Sequence, residues 1–269
     1  MSIASDISRI QTAKTNIAAA ITAKGGTVPA GTMIDGLSAC INGLIGNSLA
    51  LNLITRSGGT INLPDGITSI GDYAFYSYMY VMIPSLPNSI TTIGLRSFSG
   101  CMMLSLPSLP SSLVSIGNEA FSVCLSLALT FLPGSLISVG TSAFSNCTNL
   151  ALSSLPGSLT SIGATAFSGC SKLTLTSLPN IITLETGVFA GCTSMHLNTI
   201  PDSVRIINGG AFQGCTGLTA LSIGSAITSI ASSAFLGCTN LTSITINKPS
   251  GTIVGAPWDA TNATVTWTG

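Results

Sequence analysis

Ala166-Phe167-Ser168-Gly169-Cys170 is the stretch that decides the fold, because it recurs along most of the chain. Phe75, Phe98, Phe121, Phe144, Phe167, Phe189, Phe212 and Phe235 fall 23 residues apart, with one step of 22. A cysteine follows three residues after all but the first: Cys101, Cys124, Cys147, Cys170, Cys192, Cys215 and Cys238. A fixed period in this range is the signature of a solenoid. The apolar slots recur with it, as Ile67/Ile70, Ile90/Ile93, Leu113/Ile116, Leu136/Val139, Leu159/Ile162, Ile181/Leu184, Val204/Ile207 and Ile227/Ile230. A single coil cannot bury these side chains alone; stacked coils can.

Within one repeat, Leu155-Pro156 ends a strand, Leu159 and Ile162 lie in a second extended segment, and Gly163 ends that segment. The residues around Ala166-Phe167 read as a short helical turn closing at Gly169-Cys170. Leu173 and Leu175 open the next strand. The recurring prolines stand where each coil turns and gives up one ladder donor. Eight clear coils and a degenerate ninth give a stack on the order of 43 Å at about 4.8 Å per rung. Trp258 falls 23 residues after Phe235, and Val265 and Trp267 alternate as a closing strand. Both tryptophans read as cap residues rather than ligand stackers, since terminal repeats are atypical.

Residues 1–46 do not repeat. Ile3, Ile7, Ile10, Ile17 and Ile21 form a heptad-like seam, with Lys14 in the skipped slot. Lys24-Gly25-Gly26 ends that helix, and a second carries Met33, Ile34, Leu37, Ile41 and Leu44 on one face. Such a short segment must pack on something. It reads either as a hairpin capping the first coil or as a docking and oligomerisation module, with Ile3, Ile7, Ile10, Ile17, Ile21, Leu37 and Ile41 as the contact face. Residues 47–269 are the solenoid, and its degenerate cap spans about 247–269. The fold class expected is therefore mainly β: a solenoid of 23-residue repeats with a short N-terminal α-helical module.

Charged residues are 6% of the chain, against roughly 25% in ordinary soluble proteins, and the formal net charge is zero. No basic stripe is present to hold nucleic acid. No cationic face suits an anionic membrane, and no run approaches the ~18 apolar residues of a spanning helix. The N-terminus lacks a Sec-type basic and apolar leader, so export would need another route. The nearly uncharged surface provides little repulsion between copies and suits either a plain surface protein or a subunit of an assembly.

The sequence carries no constellation of residues that points to catalysis. Seven cysteines share one repeat slot, which suits reduced, buried packing thiols better than disulfides or a metal site. The single histidine, His196, stands alone at a variable position. Asp65, Asp72, Glu119, Glu185, Asp202 and Asp259 fill no recurring slot, so no catalytic carboxylate pair is suggested. No enzyme activity, cofactor or metal is expected. Tyr73, Tyr76, Tyr78 and Tyr80 cluster in the first coil. Tyr73, Tyr76 and Tyr80 are a candidate ligand surface, and the alternative is that the tyrosines cover the coil's open end.

Two resemblances follow from these stretches. The pattern LPxSLTSIGxxAFSGCxxL, over about residues 61–246, is similar to BspA-like leucine-rich repeats. That resemblance implies a strand-rich solenoid with short turns or 3₁₀ pieces and a broad binding face, in proteins that are mostly adhesins or ligand-binding surface proteins. The chain departs from it in one way. Residues 218–223 and 241–246 keep L-x-x-L-x-L, whereas Leu104/Leu106/Leu109 and Leu150/Leu152/Leu155 shift the middle leucine, which predicts a bulged or rearranged strand. The segment DISRIQTAKTNIAAAITAKGG…MIDGLSACINGL resembles the N-terminal module of phage and prophage tail-associated proteins. It implies a non-enzymatic virion structural protein, docked to other tail proteins as a homo-oligomer and displaying the solenoid to a host glycan or protein. The localisation would then be the virion, assembled in host cytoplasm. The alternative is a bacterial cell-surface or extracellular adhesin.

Overall fold

The computed structural model describes residues 60–63 and 65–269. Twelve short strands follow in order: β1 Ser69–Ile70, β2 Thr92–Ile93, β3 Ser115–Ile116, β4 Ser138–Val139, β5 Ser161–Ile162, β6 Thr183–Leu184, β7 Thr199–Ile200, β8 Ile206–Ile207, β9 Ala220–Ile223, β10 Ser229–Ile230, β11 Ser243–Ile246 and β12 Thr264–Trp267. They form three sheets, ordered β1-β2-β3-β4-β5, β10-β8-β6 and β12-β11-β9-β7. Among the described residues the strand pairings are all parallel, as stacked coils of one hand require: Ser69 lies beside Thr92, Ile70 beside Ile93, and so on up the stack. In each two-residue strand from β1 to β6 the Ile, Val or Leu is buried and the Ser or Thr faces outward. The core is one continuous column from Ile70 to Ala260.

The helical component of the expected fold class is not found. Among the described residues there is no helix, and residues 1–46, where the α-helical module and its seven-residue contact face were placed, lie outside the described residues. The corner around each Ala-Phe pair is a chain of turns, for a reason visible in its hydrogen bonds. Alternate N–H groups point in different directions. Ala74 and Tyr76 donate within their own coil, to Gly71 and Tyr73. Phe75 and Ser77 donate to Ser97 and Ser99 of the next coil, at 2.6 and 2.8 Å. An α-helix would turn every donor inward and leave the coils unconnected.

That alternation needs left-handed backbone on both sides of the Ala-Phe pair. Tyr73, Arg96, Glu119, Ser142 and Thr165 hold φ between 50° and 57° before it, and Ser77, Val123, Asn146 and several glycines hold φ between 59° and 78° after it. Val123, at φ 61°, is β-branched where Gly100 and Asn146 stand in the neighbouring repeats. A left-handed non-glycine residue costs about 1–2 kcal/mol. Val123→Gly is therefore expected to raise stability by about 1 kcal/mol, read as a higher urea midpoint with an unchanged m-value.

The seven repeat cysteines and eight phenylalanines fill the corner. Adjacent rings stack with centroids 5.0–5.8 Å apart. Each thiol donates to the carbonyl of the phenylalanine one coil earlier, as Cys101 Sγ to Phe75 O at 3.0 Å and Cys170 Sγ to Phe144 O at 3.1 Å. The recurring proline begins a turn, its carbonyl accepting the N–H three residues on, as in Pro110 to Leu113. A serine in that turn braces the previous coil: Ser135 Oγ donates to Leu113 O at 2.7 Å, and Ser158 Oγ to Leu136 O at 2.7 Å.

The shifted leucine spacing predicts a bulged or rearranged strand, and the structure has no strand in those segments. Where the middle leucine is shifted, as in Leu104/Leu106/Leu109 and Leu150/Leu152/Leu155, the segment is extended and bent but carries no strand. The unshifted segments become β9 and β11, with alternating burial. At the C-terminal end Trp258 takes the phenylalanine slot and is fully buried. Phe235 N–H donates to its carbonyl at 3.1 Å, and its indole N–H reaches Val254 O at 2.8 Å. Trp267 lies half-buried on the last strand. Both act as caps.

Candidate functional site

Among the described residues the four-residue strands β9, β11 and β12 lie side by side in the β7-β9-β11-β12 sheet and give it a regular pleated face. Leu221, Ile223, Ile244 and Ile246 point into the core, so the alternate side chains must point out. The register aligns Thr199, Ser222, Thr245 and Thr266 in one row, and Ala220, Ser243 and Thr264 in a second. Rungs about 4.8 Å apart make these rows a small lattice of hydroxyls and methyls. A shallow depression of about 190 Å³ opens on it, lined by Asn198, Ala220, Leu221, Ser222, Ser243 and Thr245. No lining side chain is charged. Such a surface can offer and accept hydrogen bonds and make apolar contact with methyl groups.

The first-coil tyrosines divide. Tyr73, Tyr76 and Tyr80 are 41%, 46% and 67% exposed, and Tyr73 and Tyr76 meet edge-to-face at 5.7 Å. They remain available as a surface. Tyr78, in the slot held elsewhere by cysteine, packs against the core. Met79, Met82 and Met103 are also exposed. Beside this group the Arg96 guanidinium forks onto the Glu119 carboxylate, with Nε and Nη2 each 2.8 Å from an oxygen. The sequence reading named the tyrosines but not the methionines, which carry no repeat signal.

The remaining polar groups serve the stack. Asp72 Oδ1 accepts from Leu95 N at 2.7 Å, and Asp202 Oδ1 from Ser225 N at 2.6 Å. Asn208 Nδ2 donates to Glu185 at 3.2 Å. His196 is exposed, and its Nδ1–H donates to Ser194 O at 2.7 Å. Among the described residues no group of three His, Cys, Asp or Glu side chains is placed to hold a metal. Burial pushes the ladder thiols up, to about 12 for Cys101 and Cys147 and about 11 for Cys238, which keeps them protonated and unreactive at neutral pH.

The BspA-type leucine-rich repeat region signature, in six copies, matches residues 55–174 and 172–256. The chain belongs to the BspA-type leucine-rich repeat family. Solved structures of similar proteins are bacterial. A leucine-rich repeat protein of Bacteroides ovatus is 27% identical over 79% of this chain and 64% of its own length, with a TM-score of 0.62. A leucine-rich cell surface protein of Faecalibacterium prausnitzii is 29% identical over 72% of this chain and 61% of its own, with a TM-score of 0.50. The leucine-rich repeat protein of T. pallidum is 29% identical over 68% and 78% respectively, also at 0.50. The chain thus spans less than two thirds of the first two. No curated protein matches it. The phage-tail resemblance of residues 1–45 finds no support here, since the family match begins at residue 55 and these structural relatives are bacterial leucine-rich repeat proteins. Among the described residues no helix is long and apolar enough to cross a membrane.

Proposed function

We propose that this protein is a non-enzymatic, ligand-binding leucine-rich repeat protein acting at the bacterial cell surface or outside the cell. The observation that carries the proposal is the neutral hydroxyl lattice of the β7-β9-β11-β12 face, opened by a depression but holding no titratable group. The cell-surface description of the Faecalibacterium relative supports the location. The partner is an uncharged, hydroxyl-bearing surface, such as a neutral glycan or the polar face of another protein. The exposed Tyr73, Tyr76 and Tyr80 extend the reading with a second contact area of amphipathic rings.

Ser222→Glu would place a carboxylate in the middle of the depression. Binding to an immobilised panel of neutral polysaccharides and bacterial surface proteins is expected to weaken at least about tenfold, because the new charge gains no partner on being desolvated. Thr92→Glu, at an exposed position on the first sheet and away from that face, should leave binding unchanged. An equal affinity of both variants for the captured ligand would remove this face as the site. Full protection from protease added to intact producing cells would remove the surface location.

A further inference from the structure

We infer that the solenoid contains a built-in joint between residues 160–163 and 182–185, at which the coils after Phe189 can tilt about the phenylalanine corner. The starting observation is the single 22-residue step. Other repeats carry Pro-x-Ser-Leu or its equivalent, as Pro87-Asn88-Ser89-Ile90, Pro133-Gly134-Ser135-Leu136 and Pro201-Asp202-Ser203-Val204. The short repeat reads Pro179-Asn180-Ile181, so the missing residue is the bracing serine.

Its loss changes the turn. Elsewhere the N–H three residues beyond the proline returns to the proline carbonyl. Here Ile181 N–H donates to Pro179 O, only two residues back, at 2.8 Å. The tighter turn draws the following strand out of line. The sheet ends at β5 and a new one starts at β6. In the flanking coils, Gly163 N–H donates to Val139 O at 2.8 Å and Asn208 N–H to Leu184 O at 2.9 Å. Among the described residues no hydrogen bond joins 160–163 to 182–185.

Three further observations fall at the same place. Ser203 Oγ, which by the repeat would brace the Ile181 carbonyl, is buried without a partner. The phenylalanine rings, which elsewhere lie within 5–8° of parallel, open to 13° for Phe167–Phe189 and 22° for Phe189–Phe212. A column of tightly packed glycines also stops. A Cβ on Gly117 would lie 2.8 Å from Gly94 C, and one on Gly140 2.6 Å from Asn118 N. Past Gly163 the same column holds Glu185, Asn208 and Ala231, so close contact at that corner is no longer required.

The coils stay connected on the other sides. Thr165 N–H reaches Thr186 O at 2.9 Å, Phe167 N–H reaches Val188 O at 3.0 Å, and Thr174 N–H reaches Leu152 O at 3.0 Å. One side is open and the others are bonded, which is the arrangement of a hinge. The moving part carries the β7-β9-β11-β12 face, so the joint sets that face's angle to the first five coils.

Hydrogen exchange on the full chain tests the gap. Amides of residues 182–185 are expected to exchange on the order of 100-fold faster than those of 205–208, their equivalents one coil on. Inserting a serine between Asn180 and Ile181 recreates the Pro-Asn-Ser-Ile of residues 87–90 and should bring the two segments to equal protection. Ser203→Ala gives a check that does not depend on the insertion folding: it should leave the urea midpoint unchanged or raised, whereas Ser135→Ala lowers it. Spin labels at Ile137→Cys and Thr228→Cys read the tilt, and the wild-type distance distribution should be broader than that of the insertion variant. Equal protection of 182–185 and 205–208 in the wild-type sequence would overturn the joint, as would equal widths of the two distributions.

Discussion

Raising the pH from 9 toward 10 is expected to unfold the solenoid cooperatively. The ordinary thiol value is 9.0, and burial raises the folded values to about 12 for Cys101 and Cys147 and well above ordinary for Cys124, Cys170 and Cys192. A folded value above the unfolded one means that the native state holds protons the unfolded chain releases. The stabilisation is therefore fully present below pH 9 and is lost as pH climbs from 9 toward 12. At pH 10 each thiol favours the unfolded chain by about 1.4 kcal/mol. Seven buried thiols together reach roughly 10 kcal/mol, comparable with the 5–15 kcal/mol that holds a typical domain. Urea titrations at pH 7, 8, 9, 9.5 and 10 should show a flat midpoint followed by a steep fall. Cys147→Ala/Cys170→Ala, though weaker at neutral pH, should lose stability with pH at about five sevenths of the wild-type slope. A midpoint that stays level to pH 10 would mean that the thiols are open to solvent.

The thiol ladder also marks how far the sequence could be read. Phe, Gly and Cys at one offset gave the period, the buried corner and the protonated thiols, because each property belongs to a single repeated slot. The helical reading of that corner failed. Its decisive feature, left-handed backbone two residues before the phenylalanine, is carried by Tyr73, Arg96, Glu119, Ser142 and Thr165, none of which announces such a conformation. Coil-to-coil hydrogen bonding selects it, and that appears only once the coils are stacked. The 22-residue step was plain in the sequence, but its effect on β5 and β6 depends on which carbonyl each serine reaches. The hydroxyl face was half legible. The L-x-x-L-x-L spacing at 218–223 and 241–246 picked out the coils that form strands, whereas the rows of Thr199, Ser222, Thr245 and Thr266 follow from register across coils. The exposed tyrosines were legible because four of them cluster in one coil; Tyr78 turned inward because it occupies the thiol slot.

Removing one ring from the middle of the phenylalanine column should have the largest effect of any single substitution. Phe144 is fully buried and lies between Phe121 at 5.4 Å and Phe167 at 5.5 Å. Phe144→Ala leaves a cavity flanked by two rings and is expected to cost about 3–5 kcal/mol. In a stack where each coil touches only its neighbours, that loss is concentrated on two interfaces rather than shared across the core. The break one coil further on, where β5 and β6 do not pair, gives the weakened stack a place to separate. Phe144→Ala should therefore convert one urea transition into two, with residues 189–260 keeping exchange protection to higher urea than residues 120–166. Phe235→Ala is the comparison, since its outer neighbour is the buried Trp258 at the end of the column. It should fray the last coils and leave a single main transition. If Phe144→Ala instead unfolds in one step with an unchanged m-value, coupling between coils is strong enough to carry the defect through the whole stack, and the nearest-neighbour description fails for this solenoid.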